Sequence, residues 1–138
     1  MESGVSTTES VPSGYALNRT RRVYLATRLA VADRHWTRLR GLIGKRAGEF
    51  REGDGLWISP CRGVHTWLMG FSIDVAYLTG DHVVLHLEHS LAPWRFAPVR
   101  LQATSVLELP ANTLRATGTT IGDELEIEAR TPGDAPPA

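Results

Sequence analysis

The stretch SPCRGVHTWLMGFSIDVAYL, Ser59 to Leu78, decides how this chain is read. It holds the only cysteine, Cys61, then a histidine four residues on, an indole, a thioether and an aspartate inside an apolar run. IDVAYL is rich in β-branched and aromatic residues, and TGDH turns it into VVLHLEHSL, so Ile73–Leu91 is predicted to be a β-hairpin. Upstream, VHTWLM is a second extended run, separated from IDVAYL by Gly70, Phe71 and Ser72. In a strand, His65 shares a face with Trp67 and Met69, opposite Val64, Thr66 and Leu68.

Working outward, GLWIS is a short strand ended by Pro60. TSVLELP is another, and ELEIEA alternates with Leu125 and Ile127 inward. RVYLATRLAVA, Arg22 to Ala32, is β-like at least in its first half. Asp33 can then cap a helix over 34–46, where Trp36, Leu39 and Ile43 form one apolar stripe. The expected fold is mainly β: a compact, jelly-roll-like β-sandwich or barrel of about seven or eight short strands with one helix. Residues 1–15 and 131–138 are expected to be disordered tails around a single β-rich domain over 16–130.

Bulk properties bound the class. The chain has 138 residues, 42% hydrophobic and 22% charged, which suits one soluble domain able to bury a core. A lone cysteine forms no internal disulfide, so folding does not require an oxidising compartment. No leader-like N-terminus and no span of about eighteen apolar residues is present, so a cytoplasmic location without a transmembrane helix is expected. Net charge is zero, yet Arg19–Arg46 holds nine basic residues against Asp33, while Asp123, Glu124, Glu126 and Glu128 cluster near the end. The basic segment is available to an anionic surface. Without aromatic residues interleaved with the arginines, nucleic acid is disfavoured, and the simpler expectation pairs the first and last strands so that these charges neutralise each other.

Several residues carry chemistry. Cys61 and His65 have the types of a thiolate–imidazolium pair, but a small apolar packing role for the thiol is commoner. His82 and His86 cannot chelate one ion along a strand, where four residues advance about 13 Å. No metal or cofactor is therefore assigned. Asp74 and Glu108 are acids among apolar neighbours, where a carboxylate must be paired or hydrogen-bonded or its burial is costly. Asp74 either accepts backbone N–H groups or an arginine at a turn, or orients His65. Trp94 and Arg95 in PWRF can stack on and hold a ligand, or simply anchor a loop.

Together, TRLRGLIGKR, PCRGVHTWLMGFSIDVAYL, PWRF and VLELPANT…IGDEL resemble the prokaryotic family called domain of unknown function 192, over about Leu25 to Ile127. The family pattern has proline where Ser72 stands and glycine where Asn112 stands; asparagine also tolerates a left-handed backbone. The resemblance implies a compact mainly-β fold and brings no mechanism. It marks Gly41, Cys61, His65, Thr66, Met69, Asp74, Trp94, Arg95, Glu108 and Gly122 as motif positions. The candidate pocket is thus Cys61, His65, Thr66, Trp67, Met69, Asp74, Trp94, Arg95 and Glu108. The leading expectation is a non-enzymatic domain that binds a small molecule or protein segment in a cleft. The rivals are a small hydrolase or transferase using His65 with Asp74 or Glu108, and an accessory protein of a cell-envelope or secretion assembly.

Overall fold

The computed structural model describes residues 14–32, 50–61, 71–92 and 99–128. These form eight strands: β1 (Tyr15–Asn18), β2 (Val23–Ala26), β3 (Arg28–Ala32), β4 (Asp54–Ile58), β5 (Ile73–Leu78), β6 (Val84–Leu91), β7 (Ser105–Pro110) and β8 (Leu125–Glu128). One five-residue helix, α1 (Thr113–Thr117), joins β7 to β8. The strands lie in two open sheets, β2-β1-β8 and β3-β4-β7-β5-β6, packed as a sandwich rather than closed into a barrel. Among the described residues no helix is long and apolar enough to cross a membrane.

The predicted hairpin is the pair β5–β6, antiparallel, with Tyr77 opposite His86 and Val75 opposite Glu88. On its other side β5 pairs with β7, and every residue of both strands is buried. Strands buried on both faces need an apolar layer on each side. The inner layer lies between the sheets and is built from Ala16, Leu25 and Leu125 against Ala76, Leu78, Leu107 and Leu109. The outer layer covers the far face of the five-stranded sheet with Phe50, Leu56, Ile58, Cys61, Ile73, Val75, Tyr77, Ala103 and Val106. Each aliphatic side chain so buried contributes about 1.5–3 kcal/mol relative to exposure.

The run Arg22–Ala32 is divided at Thr27, and its halves belong to different sheets. The amides of Thr27 and Arg28 both donate to the Gly53 carbonyl, each at 2.8 Å, which pins the crossing. Gly53 has φ 97°, a left-handed backbone natural to glycine, and a Cβ there would stand 2.6 Å from the Arg28 guanidinium. β3 then runs parallel to β4, the only parallel pair among the described strands. Tyr15, expected in a disordered tail, is instead the first residue of β1, because β1 is held on both sides by β2 and β8. The predicted helix over 34–46 lies outside the described residues.

The expected pairing of first and last strands is present. β1 and β8 are antiparallel from Tyr15↔Glu128 to Asn18↔Leu125, and Arg21 reaches Asp123 at 3.1 Å. Asp123 is buried and accepts from Asn18 Nδ2 at 2.9 Å, from Arg21 Nε and from the Thr120 amide at 3.0 Å. Burial alone would raise its pKa. The hydrogen bonds from Asn18, Thr120 and Arg21 outweigh burial and hold the carboxyl below its ordinary value.

Candidate functional site

Alternation along β7 sends Ser105, Leu107 and Leu109 into the sandwich, and Val106 and Glu108 to the outer layer. Glu108 therefore sits in the middle of an apolar face, in a row that runs Leu56, Glu108, Val75, Glu88 across β4, β7, β5 and β6. Only 5% of its surface remains accessible. No donor among the described residues bonds its carboxyl. Burial pushes its pKa up to about 8, because water is removed from around the charged form. At neutral pH the side chain is mostly the uncharged acid.

The next row is Ile58, Val106, Tyr77 and His86. His86 packs edge-on against the Tyr77 ring, with centroids 5.2 Å apart. Two residues along β6, Glu88 emerges on the same face, and its Oε2 is 2.7 Å from His86 Nε2. Arg100 Nη2 lies 3.1 Å from that same nitrogen. A guanidinium has no acceptor, so a protonated Nε2 donates to Glu88, and only a bare Nε2 accepts from Arg100. The imidazole thus chooses between an anion and a cation according to where its proton sits. Arg100 Nε is buried without a partner among the described residues. Tyr77 has its pKa pushed up to about 12, by burial first and then by the negative charge of Glu88.

Asp74, one residue from Val75, belongs to the other face. Its Oδ1 accepts the Ser90 amide at 2.8 Å, and its Oδ2 accepts the Leu114 amide at 2.9 Å. Ser90 has φ 49° and lies where β6 bulges against β5. Leu114 is the second residue of α1, whose preceding Asn112 makes no side-chain cap bond. Asp74 therefore ties the bulge to the helix start, supplying from β5 the acceptor that a cap residue usually supplies. Of its two expected roles it fills the first, accepting backbone N–H groups. Asn112 does adopt the left-handed backbone, at φ 79°.

Of the candidate residues, then, Cys61 and Glu108 lie on the outer face, Cys61 beside Thr104 and Glu108 four residues further along the chain, and Asp74 faces the other way. His65, Thr66, Trp67, Met69, Trp94 and Arg95 lie outside the described residues, as does the strand predicted over VHTWLM. The residues flanking those segments are in the outer layer: Cys61 and Phe71 on either side of 62–70, and Leu91 shortly before 93–98. Sequence reasoning missed Tyr77, His86, Glu88 and Arg100 as a group. The period of two in HLEH, applied to a strand, places His86 and Glu88 on one face. His82, which has φ 64°, turns its ring toward Trp57 at 5.5 Å, well apart from His86. Among the described residues no group of three His, Cys, Asp or Glu could hold a metal ion. A groove of about 550 Å³ lies elsewhere, bounded by Tyr24, Arg28, Glu52, Asn112, Thr113 and Thr117. Its guanidinium is already bonded to Asp54 at 2.7 Å and to the Glu52 carbonyl at 2.6 Å.

The chain matches the sequence profile of domain of unknown function 192, uncharacterized ACR, over residues 16–127. No curated protein matches it. Two solved structures are similar. A protein of unknown function from Novosphingobium aromaticivorans superimposes with a TM-score of 0.69 over 82% of each chain, at 16% identity. A Sinorhizobium meliloti protein, described provisionally as a transcription regulator, has a TM-score of 0.66 at 17% identity, covering 83% of this chain and 91% of its own. At such identities the likeness speaks for the fold alone. With the profile spanning β1 to β8, the chain belongs to the domain of unknown function 192 family.

Proposed function

We propose that this chain is a small-ligand-binding β-domain whose site is the outer face of the five-stranded sheet, centred on Glu108. The observation that carries the reading is a carboxyl buried in an apolar layer with no hydrogen-bond donor among the described residues. Buried polar groups in native proteins are nearly always bonded, so one without a donor among the described residues is a candidate place for something else to be held. His86, Glu88 and Arg100 add polar groups at one end of the same face. His65, Trp67, Trp94 and Arg95, expected in the same cleft, lie outside the described residues. Asp74 is not part of it.

A second reading rests on the same residue. A carboxyl with a pKa near 8 is suited to general acid or base work at neutral pH, as a small hydrolase or transferase would require. Within the basic segment Arg21 pairs with Asp123 and Arg28 with Asp54.

A fragment screen followed by amide chemical shifts tests the site. Binding fragments are expected to move Leu56, Val75, Val106 and Glu108, with Glu108→Leu removing the response while the rest of the spectrum is retained. Shifts confined to Tyr24, Arg28 and Asn112 would move the site to the groove beside α1. Turnover of any fragment that is lost in Glu108→Gln would favour the enzymatic reading.

A further inference from the structure

Independently of the outer-face reading, we infer that the groove beside α1 binds a small zwitterion, a molecule that carries a carboxylate and an ammonium together, as an α-amino acid does. The groove runs between the second half of β2, the crossing at Thr27, the turn before β4 and α1. Its volume of about 550 Å³ falls within the roughly 300–1,000 Å³ of small-molecule sites. The charged residues of its lining are Arg28 and Glu52, one of each sign. They do not neutralise each other. Arg28 Nη2 donates to the Glu52 main-chain carbonyl at 2.6 Å, while the Glu52 carboxylate, on an exposed residue of the turn, has no hydrogen bond or ion pair among the described residues.

The guanidinium is held in place to receive a carboxylate. Its Nε donates to Asp54 Oδ1 at 2.7 Å, so Nε and Nη2 are both engaged along one edge. One face lies against Gly53, where a Cβ would stand 2.6 Å from Nη2, 3.0 Å from Cζ and 3.1 Å from Nη1. A guanidinium has five N–H groups in a fixed fork. Both protons of Nη1 and the second of Nη2 are left, and this end of the fork grips a carboxylate through two parallel bonds. Asp54 does not cancel the charge. It also accepts the Arg51 amide at 3.0 Å, and against the effect of burial that amide and the guanidiniums of Arg28 and Arg51 hold its carboxyl below the ordinary value. Two cations thus share one anion, which leaves one positive charge beside the negative charge of Glu52. A simple anion on Arg28 shares the groove with Glu52, and a simple cation on Glu52 shares it with Arg28; a zwitterion satisfies both. The Tyr24 ring, 54% exposed, and Ala116 offer an apolar wall for the rest of the molecule.

The test uses the full chain and three probes built on one phenylethyl frame: phenylalanine, 3-phenylpropanoate, which lacks the ammonium, and 2-phenylethylammonium, which lacks the carboxylate. Each is titrated to millimolar concentration at pH 7 and followed by the amide shifts of Tyr24, Thr27, Gly53 and Asn112. Phenylalanine is expected to move these amides and to bind about threefold tighter than 3-phenylpropanoate, the worth of an exposed ion pair, with 2-phenylethylammonium weakest. Glu52→Gln keeps the main-chain carbonyl that Arg28 uses, and is expected to abolish that preference while 3-phenylpropanoate still binds. Arg28→Gln is expected to weaken phenylalanine at least about tenfold. If that variant does not fold, the preference ratio in Glu52→Gln decides the matter. Binding of 3-phenylpropanoate as tight as that of phenylalanine, a preference unchanged in Glu52→Gln, or failure of all three probes to move the groove amides overturns the inference. The outer-face reading is scored separately, at Leu56, Val75, Val106 and Glu108.

Discussion

Asp74 and Glu108 are two buried carboxyls on neighbouring strands, one residue out of register, and they face opposite ways. Asp74 opposes Leu109, and its two oxygens each accept a backbone amide, tying a strand bulge to a helix start. Glu108 opposes Val75 and has no donor among the described residues. The same chemical group thus does contrary things. On the inner face the carboxylate satisfies backbone groups that would otherwise be orphaned. On the outer face burial holds it as a neutral acid, with no donor among the described residues. The difference separates a residue that holds the sandwich together from one that the sandwich holds in place.

The contrast can be broken most forcefully at Asp74. Asp74→Ala leaves the Ser90 and Leu114 amides without acceptors, and two charge-assisted bonds of about 1.5–3 kcal/mol each suggest a loss of about 3–6 kcal/mol. Urea denaturation at pH 7 measures it, and a loss below 1 kcal/mol would mean that the tie carries no weight. Asp74→Asn keeps one acceptor and should fall between.

Glu108→Gln should act with the opposite sign. A carboxyl whose pKa is raised in the fold keeps a proton that the unfolded chain has released, so stability falls as pH rises from about 4.5 to about 8. Replacing the acid by a neutral amide removes that slope. The variant should gain about 4 kcal/mol at pH 8 and almost nothing at pH 4, as followed by denaturation across pH. A gain independent of pH would point to packing instead.

Asp123 extends the comparison to a third buried carboxyl, this one satisfied by side chains. Its pKa is depressed, so the stability it contributes is present above the ordinary carboxylate range and is lost as pH falls through the lowered value. Asn18→Ala removes one donor from it and the acceptor for the Arg21 amide, at an expected cost of about 1–3 kcal/mol near pH 7. The cost should shrink in acid. Smallest is the Arg28–Asp54 pair, with Arg28 half-exposed: Arg28→Gln should cost at most about 1 kcal/mol, and less in high salt.

Much of the fold was legible because its signals are local. The hairpin Ile73–Leu91, the strand GLWIS and the alternation of LEIE follow from β-branched runs and turn residues, and all appear. Three features were not legible. Nothing in RVYLATRLAVA marks Thr27 as the point where the chain changes sheet, since both halves are β-like. The helix TLRAT is too short to show a period, and its N-terminal cap comes from Asp74, forty residues earlier in the chain. β1 carries only four residues, and its place is set by partners on both sides. The site was half visible. Asp74 and Glu108 stood out as acids in apolar runs, but β5 and β7 are buried on both faces, so no hydrophobic alternation says which side each acid takes. Only pairing resolves that. Arg100 reaches His86 from the connection between β6 and β7, a contact no spacing rule foresees.

The central claim, that Glu108 is kept as an uncharged acid in the apolar outer layer, is tested most directly by titrating its side-chain carboxyl carbon with 13C NMR. The account predicts a midpoint near pH 8. A midpoint near 4.5, the ordinary value for a glutamate, would show a solvated or well-bonded carboxylate and would contradict it.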